Sequence, residues 1–277
     1  WRRVGECAKA AARGAENPVS SEFTLCREIL LRCAEHRDPK PDPEYDSQYK
    51  HASWSPAPRN EAAQGLPWLA VWKEGDREII DAMRKLGNDP VPSVRYLVTI
   101  ELWRLHRFYL DDCWAIIEEV AKCENNRVVQ QALCSSISNL IWKYEEKSCS
   151  VLQHLQSTIE KEEDDSEFLD SFISLVMALA INRDNSWATG VAENLLKEPC
   201  RFQRVLHRAN LDALSYITPA NINFDNMRRA VDRAKDWVSR AVDSASGELK
   251  KLWNMPADEI TDDVRARGRA LYSIIDD

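Results

Sequence analysis

Apolar residues recur three and four positions apart along most of the chain, the spacing of helices that bury one face. The clearest stripe is Leu97, Val98, Leu102 and Leu105, which follows Asp89-Pro90-Val91-Pro92-Ser93-Val94-Arg95. Pro92 suits a first helical turn, where its missing N–H would have no partner, and Pro90 holds the approach extended. A shift of 35 residues lays Val94, Leu97-Val98, Leu102 and Leu105 on Val129, Ala132-Leu133, Ile137 and Leu140. A shift back of 36 lays Val98, Leu102 and Leu105 on Ala62, Leu66 and Leu69, and Arg95 on Arg59. Three equivalent first helices are therefore predicted, the earliest over 60–72 with Pro67 kinking it.

Second helices are predicted between them, over 77–86, 112–123 and 148–159. Each carries an apolar stripe, for example Ile79, Ile80, Met83 and Leu86. Asp111 or Asp112, and Ser148, are the expected N-caps. Helices are also predicted over 4–15 and 22–33 at the start, and over 167–181, 187–196, 202–216 and 227–253 towards the end. The stretch 167–181 is apolar on most faces, as expected of a helix held between neighbours. Residues 38–58 alternate Pro with polar residues and with Tyr45, Tyr49 and Trp54, which predicts a helix-free connecting loop, with Trp54 latching it onto the first repeat.

The Asp-Pro lead-in, the Val94-Arg95 pair and the Leu stripe resemble the first helix of a HEAT repeat. That resemblance implies an all-α protein, a HEAT-like α-solenoid built as a right-handed stack of antiparallel helix pairs. An ordinary helical bundle is the competing architecture. The expected organisation is an N-terminal helical segment (1–37), the Pro-rich loop (38–58), HEAT-like repeats (59–220) and C-terminal helices (221–277). Only one copy keeps Asp-Pro and Val-Arg together; the later units have lost both. With no evident polar capping unit at either end, the chain is expected to be a segment of something longer.

The stretch Trp54-Ser-Pro-Ala-Pro-Arg-Asn-Glu-Ala-Ala-Gln-Gly-Leu66, taken with the Asp89 to Arg95 motif, looks like the helical-repeat region of large bacterial STAND-type ATPases of antiviral defence. The likeness covers about 80 residues, from Trp54 to Leu133. It implies a sensor that captures a foreign protein while the ATPase lies elsewhere. No Gly-x-x-x-x-Gly-Lys-Ser/Thr loop occurs in the chain. The expectation is a segment that recognises and does not catalyse, with no cofactor and with a protein and neighbouring domains of the same polypeptide as partners.

Composition narrows the alternatives. Eight Gly in 277 residues and 44% apolar residues suit a helical protein with a large core, and no apolar run reaches the roughly 18 residues of a membrane span. Nothing at the start resembles a signal peptide. The eight Cys form no Cys-x-x-Cys pair and sit mostly in apolar stripes, and the five His are scattered, so the thiols read as small buried hydrophobes in a reducing cytoplasm and no metal site is expected. No nucleophile, base and orienting acid stand out by spacing.

Net charge is −8, with the densest acid at 160–167 (Glu-Lys-Glu-Glu-Asp-Asp-Ser-Glu), expected to be a solvated connection between helices. Arg201, Arg204 and Arg208 share one helical face, and Arg229, Arg233 and Arg240 another, the latter interleaved with Asp232, Asp236 and Asp243 at pairing distance. The overall charge argues against a field for nucleic acid, although a HEAT-like nucleic-acid-binding protein or DNA glycosylase is the alternative reading. Ten Trp is a high count, and most should fill gaps between helices. Trp103 lies off the main stripe beside Arg104 and Arg107. With Arg201, Arg204 and Arg208, these three are the candidate partner-binding residues, since aromatics and Arg dominate interface hot spots.

Overall fold

The computed structural model describes residues 1–159, 167–199, 202–217, 227–256 and 259–276, with the side chains of residues 203 and 204 left aside. Among the described residues every regular element is helical. The chain divides into two compact units, Trp1–Phe168 and Leu169–Asp277.

The first unit begins with α1 (Arg2–Ala12) and α2 (Ser21–Ala34), then a short α3 (Pro43–Ser47) and α4 (Pro58–Ala70) with α5 (Arg77–Gly87). It continues with α6 (Pro92–Thr99), a 3-10 helix (Leu102–Arg107), α7 (Leu110–Cys123), α8 (Arg127–Ser138) and α9 (Glu145–Ile159). The first helices α1, α4, α6 and α8 each pack on the next, and so do the second helices α2, α5, α7 and α9. In the α8–α9 pair, Arg127 at the start of α8 donates to the Thr158 carbonyl and hydroxyl at the end of α9, so those two helices run antiparallel. The stripe residues matched by the 35- and 36-residue shifts are all buried, from Ala62, Leu66 and Leu69 through Val94, Leu97, Val98, Leu102 and Leu105 to Val129, Leu133, Ile137 and Leu140.

Local chemistry sets most helix starts. Pro43, Pro58 and Pro92 occupy first turns. Ser20 accepts from the Phe23 amide, Asp76 from Ile79, and Asn126 from Val128 and Val129. Three expectations need correcting. Asp111 and Asp112 lie in the first turn of α7 after Tyr109, and Asp112 pairs instead with Arg77 at 2.6 Å. Ser148 sits buried within α9, its hydroxyl donating to the Tyr144 carbonyl. Residues 43–47 are helical because the Asp42 carboxylate accepts from the Glu44 and Tyr45 amides and Pro43 fits the first turn.

The first helix of the central pair is also broken, at Ile100 and Glu101. The β-branched run Val98-Thr99-Ile100 weakens the helix, and the Trp103 amide leaves the backbone ladder to donate to Ser136 Oγ of α8 at 2.9 Å. The chain resumes as the 3-10 helix, which keeps Leu102 and Leu105 buried.

At the other ends of these helices the pairs are tied by a relay of charges. Arg59 of α4 pairs with Asp89, which precedes α6: Nη2 donates to Oδ1 at 3.1 Å and Nε lies 2.8 Å from Oδ2. Thirty-six residues on, Arg95 of α6 forks onto Glu124, which precedes α8, at 2.6 and 3.1 Å, and also donates to the Asp89 carbonyl. Gln130 of α8 repeats the last bond by donating to the Glu124 carbonyl. Asp89 and Glu124 each accept further backbone amides, from Val91 and from Asn125 and Asn126. Burial pushes the Asp89 carboxyl up, against the Val91 amide and Arg59.

The Pro-rich segment straps across these first helices. Trp54 meets Tyr96 of α6 in a tilted ring contact, centres 5.9 Å apart, so it latches onto α6 rather than onto α4. Asn60 and Asn126 donate to the Ser55 and Tyr49 carbonyls, and buried Tyr49 anchors the middle of the strap.

Close packing leaves little slack at α2 against α4. A Cβ on Gly65 would lie 2.6 Å from Leu30 Cδ1, and Leu30 is fully buried. Gly65→Ala is expected to cost about 1–3 kcal/mol of stability by overpacking, read from urea denaturation of the two proteins.

Arg27 of α2 reaches α5 by a fork onto Asp76 at 2.6 and 2.9 Å, with Lys73 at 3.4 Å from the same carboxylate. Burial pushes Asp76 up, but the Arg27 bond and charge, the Ile79 amide and Lys73 outweigh it, so its carboxyl lies below the ordinary value. A depressed pKa gives stability that is complete above the unfolded carboxyl's pKa, about 4, and is lost as pH falls through the folded value. Thermal melts should therefore fall below about pH 4. In Arg27→Met, burial prevails over the remaining partners and this contribution to the acid loss disappears.

The second unit contains α10 (Glu167–Arg183, whose first two residues belong with the first unit), α11 (Ser186–Lys197), α12 (Gln203–Leu214), α13 (Arg228–Trp253) and α14 (Asp262–Asp276). α12, α13 and α14 pack on one another, with α11 against α12 and α13. α13 buries Ala230, Val231, Ala234, Trp237, Ala241 and Ala245, small residues at helical spacing that allow close approach. Arg233 and Asn182 fasten α10 to the rest, through the Ile181 carbonyl and the Tyr216 hydroxyl. The interleaved charges of α13 pair as expected at one position, Arg240 with Asp236 at 2.9 Å, and Arg240 also reaches Glu193. No helix among the described residues is long and apolar enough to cross a membrane.

Candidate functional site

The most distinctive surface of the first unit lies where first helices turn into second helices. The 36-residue offset that aligns α4 with α6 also places Arg104 opposite Trp68, and Phe108 opposite Trp72. Consecutive pairs thus interleave cations and aromatic rings. The Arg104 guanidinium carbon lies 3.5 Å from the centre of the Trp68 ring and 4.5 Å from that of Trp103. Arg13, just past α1, covers the same Trp68 ring at 5.8 Å. Arg107 covers Trp72 at 5.7 Å and Phe108 at 4.9 Å.

The row continues onto the third pair. Trp103 stacks on His106, whose Nδ1 is 2.7 Å from the Trp103 carbonyl, and His106 meets the edge of Tyr144. Tyr144 in turn meets Trp114, with Lys143 over Tyr144 and Lys147 over Trp114. Buried Tyr109 ties the second pair to the first: its hydroxyl accepts from the Asp76 amide and donates to the Lys73 carbonyl, and burial raises its pKa.

Two classes of cation result. Arg104 is neutralised by Glu101 at 2.5 Å. Arg13, Arg107, Lys143 and Lys147 rest on aromatic faces, and among the described residues no carboxylate lies within ion-pair distance of them. Phe108, against Arg107, remains 36% exposed.

The candidates from sequence divide accordingly. Trp103, Arg104 and Arg107 come together on this edge. Arg208 belongs to the second unit, where it pairs with Asp212 at 3.2 Å and donates to Ser174 Oγ. Arg201 lies outside the described residues, as does the side chain of Arg204 and the acidic stretch 160–166. Trp68, Trp72, Arg13 and the lysines were not singled out by sequence, yet the repeat offset already set Trp68 against Arg104.

Other places offer less chemistry. A cleft of about 580 Å³ lies over the charge relay, lined by Asp89, Pro90, Arg95, Glu124, Asn125 and Asn126, but its carboxylates are already engaged by the bonds described above. Of the described thiols, Cys26, Cys33, Cys113, Cys134 and Cys149 are buried while Cys7 and Cys123 are exposed, and burial pushes Cys113 up to about 12, keeping it neutral. Cys200 lies outside the described residues. No cluster of three or more His, Cys, Asp or Glu able to hold a metal occurs among the described residues. No known protein family, curated protein or solved structure matches the chain.

Proposed function

We propose that the first unit is a HEAT-like α-solenoid, a right-handed stack of helix pairs, acting as a non-catalytic interaction scaffold or sensor that recognises a protein partner. The observation that carries this reading is the repeated tie between pairs. Arg59–Asp89 and Arg95–Glu124 recur at the same offsets as the buried stripe, so one bonding scheme serves successive units. Such stacking leaves an extended surface on which neighbouring units each contribute side chains, and the cation–aromatic edge is of that kind. On the sequence resemblance, the chain belongs to a larger bacterial antiviral-defence ATPase of the cytoplasm and serves as its sensing part.

The test is affinity capture of the whole polypeptide from phage-infected and uninfected cells. The expected result is a protein recovered only after infection and lost from the Trp103→Ala/Arg104→Ala variant. Absence of any infection-specific protein would count against the defence role, and recovery unaffected by the double substitution would remove the edge from it.

A further inference from the structure

We infer that the cation–aromatic edge of the first unit docks an acidic segment of a protein, whose carboxylates engage Arg13 and Arg107 while Phe108 gives the apolar contact. This deepens the protein-recognition reading above and rests on it. A guanidinium held near a ring keeps its planar fork of N–H donors for a carboxylate, the geometry in which the two groups form paired bonds. An arginine already held on a ring loses little freedom when it binds. Among the described residues Arg13 and Arg107 have no carboxylate partner, whereas Arg27, Arg59, Arg95 and Arg104 of the same unit each pair with one, in a chain of net charge −8. Lys143 and Lys147 extend the row, but Glu145 and Glu146 in the first turn of α9 accompany them, so the arginine end dominates.

The same stacking disfavours nucleic acid. Single strands bind sequence-tolerantly by laying bases on open aromatic faces. Here Arg104 covers Trp68 and Arg107 covers Trp72.

The test is fluorescence anisotropy of the full chain with three labelled peptides of one length, carrying Glu, Gln or Lys at alternate positions between Leu and Phe, and with a single-stranded DNA oligonucleotide. The Glu peptide should bind most tightly. Its affinity should fall about tenfold, equivalent to about 1.4 kcal/mol, in Arg13→Gln/Arg107→Gln, and should fall as salt is raised. Arg32→Gln, an exposed change on α2, should leave binding as in the parent. Equal binding of the Glu and Gln peptides, parent-like binding by the double variant, or tighter binding of the DNA would overturn the inference. If the peptides fail while affinity capture still returns a protein partner, the acidic-segment inference falls alone.

Discussion

Lys9→Met is expected to lower the stability of the first unit by about 3–5 kcal/mol, the cost of leaving a buried carboxylate without its partner. Glu61 of α4 is 1% exposed, and its carboxylate meets the Lys9 ammonium of α1 at 2.5 Å. The surroundings offer no retreat, because Gly5 and Cys33 crowd the same space and a Cβ on Gly5 would stand 3.2 Å from Glu61 Cβ. The 36-residue offset explains what a repair would be: Glu61 occupies the position that Leu97 fills one unit later. Lys9→Met/Glu61→Leu should therefore regain most of the loss, since well-packed apolar residues often replace a buried pair without cost. Urea denaturation of the single and double variants checks both statements. A single variant within about 1 kcal/mol of the parent, below the range for breaking such a pair, would contradict the assignment of Lys9 as the partner that Glu61 needs.

Arg95→Met is the second large effect, again about 3–5 kcal/mol. Arg95 closes four bonds at the junction of α6 and α8: two to Glu124 and one each to the Asp89 and Pro90 carbonyls. Its loss strands Glu124, which is 7% exposed, although the Asn125 and Asn126 amides still support that carboxylate. The double variant Arg95→Met/Glu124→Leu should recover part of the loss. It should not recover all, because the two carbonyl bonds stay broken. Hydrogen exchange should speed in α6 and α8 before α1, as the tie that fails is local to that junction.

How far this could be read from sequence differs by level. The buried stripe and its recurrence were legible because helical periodicity depends on nearest neighbours along the chain, and every matched apolar position is inside. What escaped depends on partners far away. The break before Leu102 needs Ser136, 33 residues on, to take the Trp103 amide. Ser148 looks like a cap but turns inward once α9 starts earlier, at Glu145. Glu61 looks like an exposed acid until Lys9, 52 residues away, is placed against it.

The same holds for the candidate site. Trp103, Arg104 and Arg107 announced themselves by standing together off the stripe. Trp68 and Trp72 needed the offset applied one helix back, and Arg13 needed the packing of α1 on α4. Arg208 shared a helical face with Arg201 and Arg204, but its charge is met within its own unit by Asp212.

The most direct test of the interaction edge replaces Phe108 with the photo-crosslinking residue p-benzoylphenylalanine in the whole polypeptide, with Val19, an 87% exposed residue of the α1–α2 loop, as the control position. Illumination in cells should attach position 108 to a protein segment rich in Asp and Glu, at a yield that drops when Arg13 and Arg107 are both Gln. Attachment of position 108 to nucleic acid alone, or to no more protein than position 19 captures, would contradict the account.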